Sequence, residues 1–216
     1  MLDKGTSGHL VHSLIDYNYR IILVDYNLCP QVTLKQITEQ ICNFYKWLKN
    51  YAAATKASKI SICGHSAGAH LALQMFKDEF LRPLRQLDLI DQLFLISGLY
   101  DLRELWALQA SNPQNILNLN AQKAKDLSPI CWQYNEDLLT KYRQQGVVFH
   151  VLVAENDSNT FKKQSEDLFK LFKALGLNVA YKEFEKYDHF DIIEECSNRN
   201  SVISKYIIRS LKLIEQ

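Results

Sequence analysis

Glycine and proline are scarce in this chain, seven and four among 216 residues. That excludes a collagen-like repeat, and no stretch reads as a flexible linker or low-complexity tract. An excess of one charge is missing too. Lys and Arg total 25 against 24 Asp and Glu, a formal net charge of +1, and the basic residues lie scattered among acids. No broad positive field would gather a nucleic acid or an acidic membrane, so neither partner is expected. Nowhere do 18 apolar residues run together, so no membrane-spanning helix is expected either. The opening "MLDKGTSGHLVHSLIDYNYR" lacks the basic start and apolar stretch of a targeting segment.

Paired cysteines are also absent. Cys29, Cys42, Cys63, Cys131 and Cys196 form an odd, widely spaced set without a CxxC. Neither a disulfide framework nor a zinc site is expected, and reduced thiols in the cytoplasm are. Asn156-Asp157-Ser158 fits a glycosylation sequon and reads as a chance match. GxGxxG, a P-loop and clustered His, Cys and Asp at metal-ligand spacing are all missing, so neither cofactor nor metal is expected.

What is present is an alternation of short apolar runs with helical patterns. It predicts an α/β fold, a mostly parallel sheet with helices on both faces, in one domain over residues 1–216. Strands are expected at Tyr19–Tyr26, Lys59–Cys63, Asp91–Tyr100, Val147–Ser158 and Asn178–His189. Leu34, Ile37, Ile41, Phe44, Tyr45 and Leu48 mark one helix face, with Thr33 as its N-cap. Further helices are expected over Ala67–Phe80, Phe161–Leu175 (stopped by Gly176) and Ser201–Ile214. Residues 102–140 read as short helices and loops. The aromatic residues of the first 51 positions sit mostly at helical or strand spacing and read as core.

"KISICGHSAGAHLAL", Lys59–Leu73, places a serine between glycines at minus two and plus two where a strand meets a helix. Such a turn lifts the Ser66 hydroxyl clear of the sheet, while Gly64 and Gly68 let backbone and helix approach closely. Helix N–H groups, notably that of Ala67, could then hydrogen-bond a developing oxyanion. A serine-capped strand-to-helix turn without chemistry has the same local pattern.

A serine hydroxyl needs a base, and the base needs a carboxylate to set its tautomer. His189, just past the last expected strand in "KYDHFDII", is the best-placed histidine. His65 and His70 flank the serine in sequence, whereas a base must come from a separate loop. His65 is expected to point away from Ser66, and His9, His12 and His150 to be structural. Asp157, at the strand end "VLVAENDS", follows Ser66 by 91 residues and precedes His189 by 32. The chain order Ser, Asp, His is that of the α/β-hydrolases. Asp101, after another strand, is the main rival; Glu155, Asp188 and Asp191 are further ones.

"GHSAGAHLAL", "VLVAENDS" and "YDHFDIIE", with "VDYNLCPQVTL" and "DLSP", resemble kynurenine formamidase (arylformamidase), of the esterase/lipase branch of the α/β-hydrolases. The similarity runs through essentially the whole chain. It implies hydrolysis of N-formyl-L-kynurenine, a small-molecule substrate, to formate and L-kynurenine in tryptophan breakdown, with no cofactor. Ser66 would attack, His189 would shuttle the proton and Asp157 would orient it. That branch carries a His-Gly-Gly motif upstream whose N–H groups make most of the oxyanion hole, and none occurs here. The fold is therefore expected to be N-terminally truncated, with a gap between the strand at Tyr19–Tyr26 and that at Lys59–Cys63, and with weak activity or none. Exposed sheet edges would invite a homodimer or aggregation. A general carboxylesterase, and a catalytically idle hydrolase-like interaction domain, are the alternatives.

Overall fold

The computed structural model describes residues 8–17, 19–77 and 89–212. Four parallel strands, β1 (Ile60–His65), β2 (Ile90–Ile96), β3 (Val148–Ala154) and β4 (Asn178–Phe184), form one sheet in the order β1-β2-β3-β4. Parallel neighbours need crossovers, so all four carboxyl ends share one edge. Around the sheet lie α1 (His9–Leu14), α2 (Leu34–Ala54), α3 (Ala67–Gln74), α4 (Ala121–Asp126), α5 (Glu136–Gln145), α6 (Asn159–Ala174), α7 (Asp191–Glu194) and α8 (Val202–Lys212).

Side-chain alternation along the strands sorts the core into two layers. Leu93 and Leu95 of β2, with Phe149 and Val151 of β3, face a cluster fed by Ile37, Ile41 and Tyr45 of α2, Leu71 of α3, and Leu168 and Phe172 of α6. Phe94, Ile96, Leu152 and Ala154 face the opposite side and meet Ile192, Cys196, Ile203 and Ile207. Both faces are covered, which is why β2 and β3 read as near-continuous apolar runs. The expected fold class is thus observed.

Thr33 caps α2 as expected: its Oγ1 accepts from Gln36 N at 3.2 Å, and Gln36 Oε1 accepts from Thr33 N at 2.8 Å. Gly176 closes the turn after α6 with a φ of +69°. The helix expected over Ala67–Phe80 ends at Gln74, where Phe76 N bonds Leu73 O and Lys77 N bonds Gln74 O, the tighter three-residue pattern that finishes a helix. Positions 78–80 of that expectation, and 213–214 of the last helix, lie outside the described residues.

The expected strand at Tyr19–Tyr26 does not form. A β-branched run signals burial, but a strand also needs a partner ladder, and β1 pairs with β2 alone among the described strands. Ile22 and Tyr26 instead pack sideways on the main cluster, Asn27 N donates to Gln40 Oε1 of α2 at 3.0 Å, and Leu23 and Val24 remain exposed.

Two buried polar links position the loops. Gln164 of α6 accepts from Tyr100 N (2.7 Å) and Asp101 N (2.9 Å) and donates to Asp101 O (2.9 Å), pinning the chain after β2. Behind the sheet, His150 Nε2 lies 3.0 Å from Gln92 Oε1, which can only accept, so Nε2 carries the proton. His150 Nδ1 then accepts from Tyr206 Oη at 2.9 Å, tying α8 to β3.

Candidate active site

Bonds beyond the ends of the strands hold the site's loops level. Ser66 N donates to Ile96 O (2.9 Å), Ser97 N to Leu152 O (2.7 Å) and Glu155 N to Phe184 O (2.9 Å). Asn156 N reaches Tyr187 O at 2.9 Å, joining the loops after β3 and β4. Each loop is thus rooted in the next strand of the sheet.

Ser66 sits at φ +53° and ψ −120°, a region an L-residue enters only under constraint, at about 1–3 kcal/mol. The constraint is the packing of the turn. A Cβ at Gly64 would collide with the Gly68 carbonyl and lie 2.7 Å from Ala69 N. Gly68 is different from the expectation: a Cβ there meets nothing within 4 Å, because it points into open space. Ala67 opens α3, and its N–H has no intrahelical acceptor.

The structure brings Ser66, His189 and Asp157 together. His189 Nε2 lies 3.0 Å from Ser66 Oγ, and His189 Nδ1 lies 2.9 Å from Asp157 Oδ1. The Asp157 side chain is 1% exposed and that of His189 20%, so the carboxylate is sealed while the imidazole can be reached. Burial works against the charged carboxylate, but the His189 hydrogen bond and the nearby Ser97 hydroxyl outweigh it and hold Asp157 below the usual carboxylate range. A charged Asp157 can only accept, so His189 carries its proton on Nδ1 and offers Nε2 as a base toward Ser66. Phe161 packs 4.3 Å from the imidazole centroid and Phe190 edge-on at 5.3 Å.

The rival carboxylates are engaged elsewhere. Asp101 grips Arg103 through Nε (2.9 Å) and Nη2 (2.6 Å), and that guanidinium lowers its carboxyl pKa. Glu155 Oε2 accepts from Lys186 N at 2.7 Å. Asp188 Oδ1 accepts from Phe190 N and Asp191 N, both at 2.8 Å, and so shapes the entry to α7, which Asp191 opens. His70 is buried and donates from Nε2 to Leu127 O at 2.7 Å.

One contact and one residue near the site are not signalled by the sequence. His65, set aside as a base, reaches the carbonyl oxygen of His189, a contact across 124 positions that no local pattern marks. Ser97, fully buried at φ +46°, follows a strand with no motif around it. No group of three or more His, Cys, Asp or Glu among the described residues could hold a metal ion. No described helix is long and apolar enough to cross a membrane.

A serine on a strained strand-to-helix turn, hydrogen-bonded to a carboxylate-backed histidine over a parallel sheet, is the arrangement of a serine hydrolase. A family model described as alpha/beta hydrolase fold matches residues 9–191. Kynurenine formamidase of Drosophila melanogaster is 37% identical over 206 residues, covering 95% of this chain and 67% of that protein. Its namesake from Danio rerio is 28% identical over 214 residues, 97% of this chain and 68% of that one. Among solved structures, a putative thioesterase from Silicibacter sp. TM1040 superposes with a TM-score of 0.73 at 27% identity, covering 96% of this chain and 71% of that one. A thermostable esterase from Pseudomonas putida shares the fold, with a TM-score of 0.75 at 14% identity over 100% of this chain and 70% of that one. The chain belongs to the α/β-hydrolase fold family and, within it, to the kynurenine formamidases.

Proposed function

We propose that this hydrolase cleaves the aryl formamide N-formyl-L-kynurenine to L-kynurenine and formate, using Ser66, His189 and Asp157. The observation that carries the mechanism is the continuous chain from Ser66 Oγ through the His189 ring to Asp157 Oδ1, at 3.0 and 2.9 Å. Support for the substrate is the name of the Drosophila relative.

Ser66 Oγ attacks the formyl carbon while His189 Nε2 takes its proton. The carbonyl oxygen becomes an oxyanion facing the Ala67 N–H. The C–N bond then breaks as His189 returns the proton to the aryl nitrogen, leaving a formyl ester on Ser66. Water, deprotonated by His189, attacks that ester; formate leaves and Ser66 regains its proton. Asp157 keeps the imidazole in the required tautomer throughout and stabilises the imidazolium. The five free cysteines support a reducing, cytoplasmic location.

The test compares N-formyl-L-kynurenine with phenyl acetate under matched conditions, in the parent and in Ser66→Ala. A clear preference in kcat/KM for the formamide, lost in the variant, is the expected result. Equal or better hydrolysis of the ester would move the reading to a general carboxylesterase. Ser66-independent turnover, or none of either substrate, would overturn it.

A further inference from the structure

His65 precedes the candidate nucleophile at the end of β1, and the sequence assigns it no task. In the structure its Nε2 lies 2.8 Å from the backbone carbonyl oxygen of His189. Its ring is tilted against the His189 ring, with centroids 4.7 Å apart. A carbonyl oxygen can only accept, so the proton of this bond belongs to His65 Nε2. Burial first, and then the neighbouring His189, push the His65 pKa down to about 4, so at neutral pH the ring is uncharged and its proton stays on Nε2.

The loop this bond reaches is the one that must place the base. After β4 ends at Phe184, the chain runs through Tyr187 to His189 and on to α7. Asn156 N anchors that loop at Tyr187 O, Asp157 holds the imidazole at Nδ1, and Asp188 shapes the turn that follows. None of these joins the backbone of His189 itself to the strand carrying Ser66. His65 does, because it is covalently next to Ser66 and hydrogen-bonded to the main chain of residue 189. The nucleophile and its base are therefore linked twice, once through the catalytic contact and once through the adjacent residue.

We propose that His65 is a positioning residue for catalysis: its Nε2–H anchors the His189 carbonyl to the nucleophile turn and so sets the approach of His189 Nε2 to Ser66 Oγ. The role rests on the assignment of Ser66, His189 and Asp157 as the catalytic groups. It differs from simple packing in a checkable way, because what matters is a hydrogen-bond donor at the Nε2 position. Removing it leaves a loop free to shift by fractions of an ångström, and misplacement on the 1 Å scale can cost about 10²-fold in rate.

The experiment uses the whole chain with His65→Phe, which keeps an aromatic ring without the donor, and His65→Gln, which restores an N–H near the Nε2 position. Three quantities are read: the second-order rate of fluorophosphonate labelling, the thermal midpoint, and hydrogen exchange of the 187–190 backbone. The expected result is a labelling rate about 10- to 100-fold lower in His65→Phe and within about threefold of the parent in His65→Gln. Both midpoints should stay within a few degrees of the parent, with faster exchange at 187–190 in His65→Phe only. Unchanged labelling and exchange in His65→Phe would overturn the proposal. So would equal impairment of both variants, which would make the ring rather than the donor the relevant feature. Ser66→Ala separates the two readings: if it labels like the parent, or the parent does not label, the catalytic assignment fails. Exchange at 187–190 still decides whether His65 holds the loop.

Discussion

Asp157 and His189 meet at 2.9 Å through Oδ1 and Nδ1, on the side of the imidazole remote from Ser66. Since the carboxylate is sealed from water and charged, it selects the one tautomer in which Nε2 can accept a proton. Asp157→Asn removes that selection, because an amide can offer its own N–H to Nδ1. Phosphonate labelling is expected to fall by about 10²–10⁴-fold with secondary structure intact. An Asp157→Asn variant that labels like the parent would take the carboxylate out of the mechanism.

Gly64 and Gly68 look equivalent in the motif and are not equivalent in space. Gly64→Ala drives a methyl group into the Gly68 carbonyl and Ala69 N, both backbone atoms that cannot swing aside. It is expected to destabilise the chain by about 1–3 kcal/mol or more. Gly68→Ala places its methyl in open space at the start of α3 and should be neutral or stabilising by up to about 1 kcal/mol. Urea unfolding of the two variants measures the contrast, and similar midpoints would contradict it.

Acid should weaken the fold through its buried histidines. Burial lowers the pKa of both His70 and His150 to about 4, whereas an unfolded chain returns them to about 6.5. Between those values the unfolded state binds protons that the folded state refuses. Stability is therefore complete above pH 6.5 and falls as pH drops toward 4, by roughly 2–4 kcal/mol for each histidine. Chemical denaturation at pH 7.5, 6 and 4.5 reads the slope, to which His65, likewise held near 4 by burial, adds a third share, so His150→Gln should lower it by about one third. A flat profile over that range would show that none of these imidazoles is held neutral.

Gln164 satisfies two N–H groups and one carbonyl after β2, all within 2.9 Å. Gln164→Ala strands them, and a loss of about 3 kcal/mol or more is expected in the unfolding free energy. Gln164→Glu keeps the acceptor for Tyr100 N and Asp101 N but faces the Asp101 carbonyl without a donor, so an intermediate loss should result. Equal stability of all three proteins would remove Gln164 from the anchoring of this loop.

Much of the architecture could be read from local pattern because local chemistry decides it. Thr33 and Gln36 form a capping box from residues three apart, and Gly176 ends α6 by adopting the positive φ that favours glycine. Ser66, Asp157 and His189 could be nominated because parallel strands deliver their carboxyl ends to one edge. Tyr19–Tyr26 was misleading, since a β-branched run reports burial and says nothing about whether a partner strand is beside it. The partner of His65, weighed only as a base and set aside, was illegible for a related reason: it is a carbonyl 124 residues away. The difference between Gly64 and Gly68 likewise depends on where a missing Cβ would point in the folded turn.

The sheet order has a practical consequence. Ser66 hangs from β1, Asp157 from β3 and His189 from β4, with β2 between Ser66 and the other two. Adjacent strands stand about 4.8 Å apart, so the chain must carry His189 back over the width of about three such spacings to reach Ser66. A slip of two residues in any of the three ladders would displace a loop root by nearly 7 Å and part the groups. If Ser66 reacts as proposed, a covalent serine probe works as a census of assembly: it counts only those molecules in which all three strand junctions have closed in register.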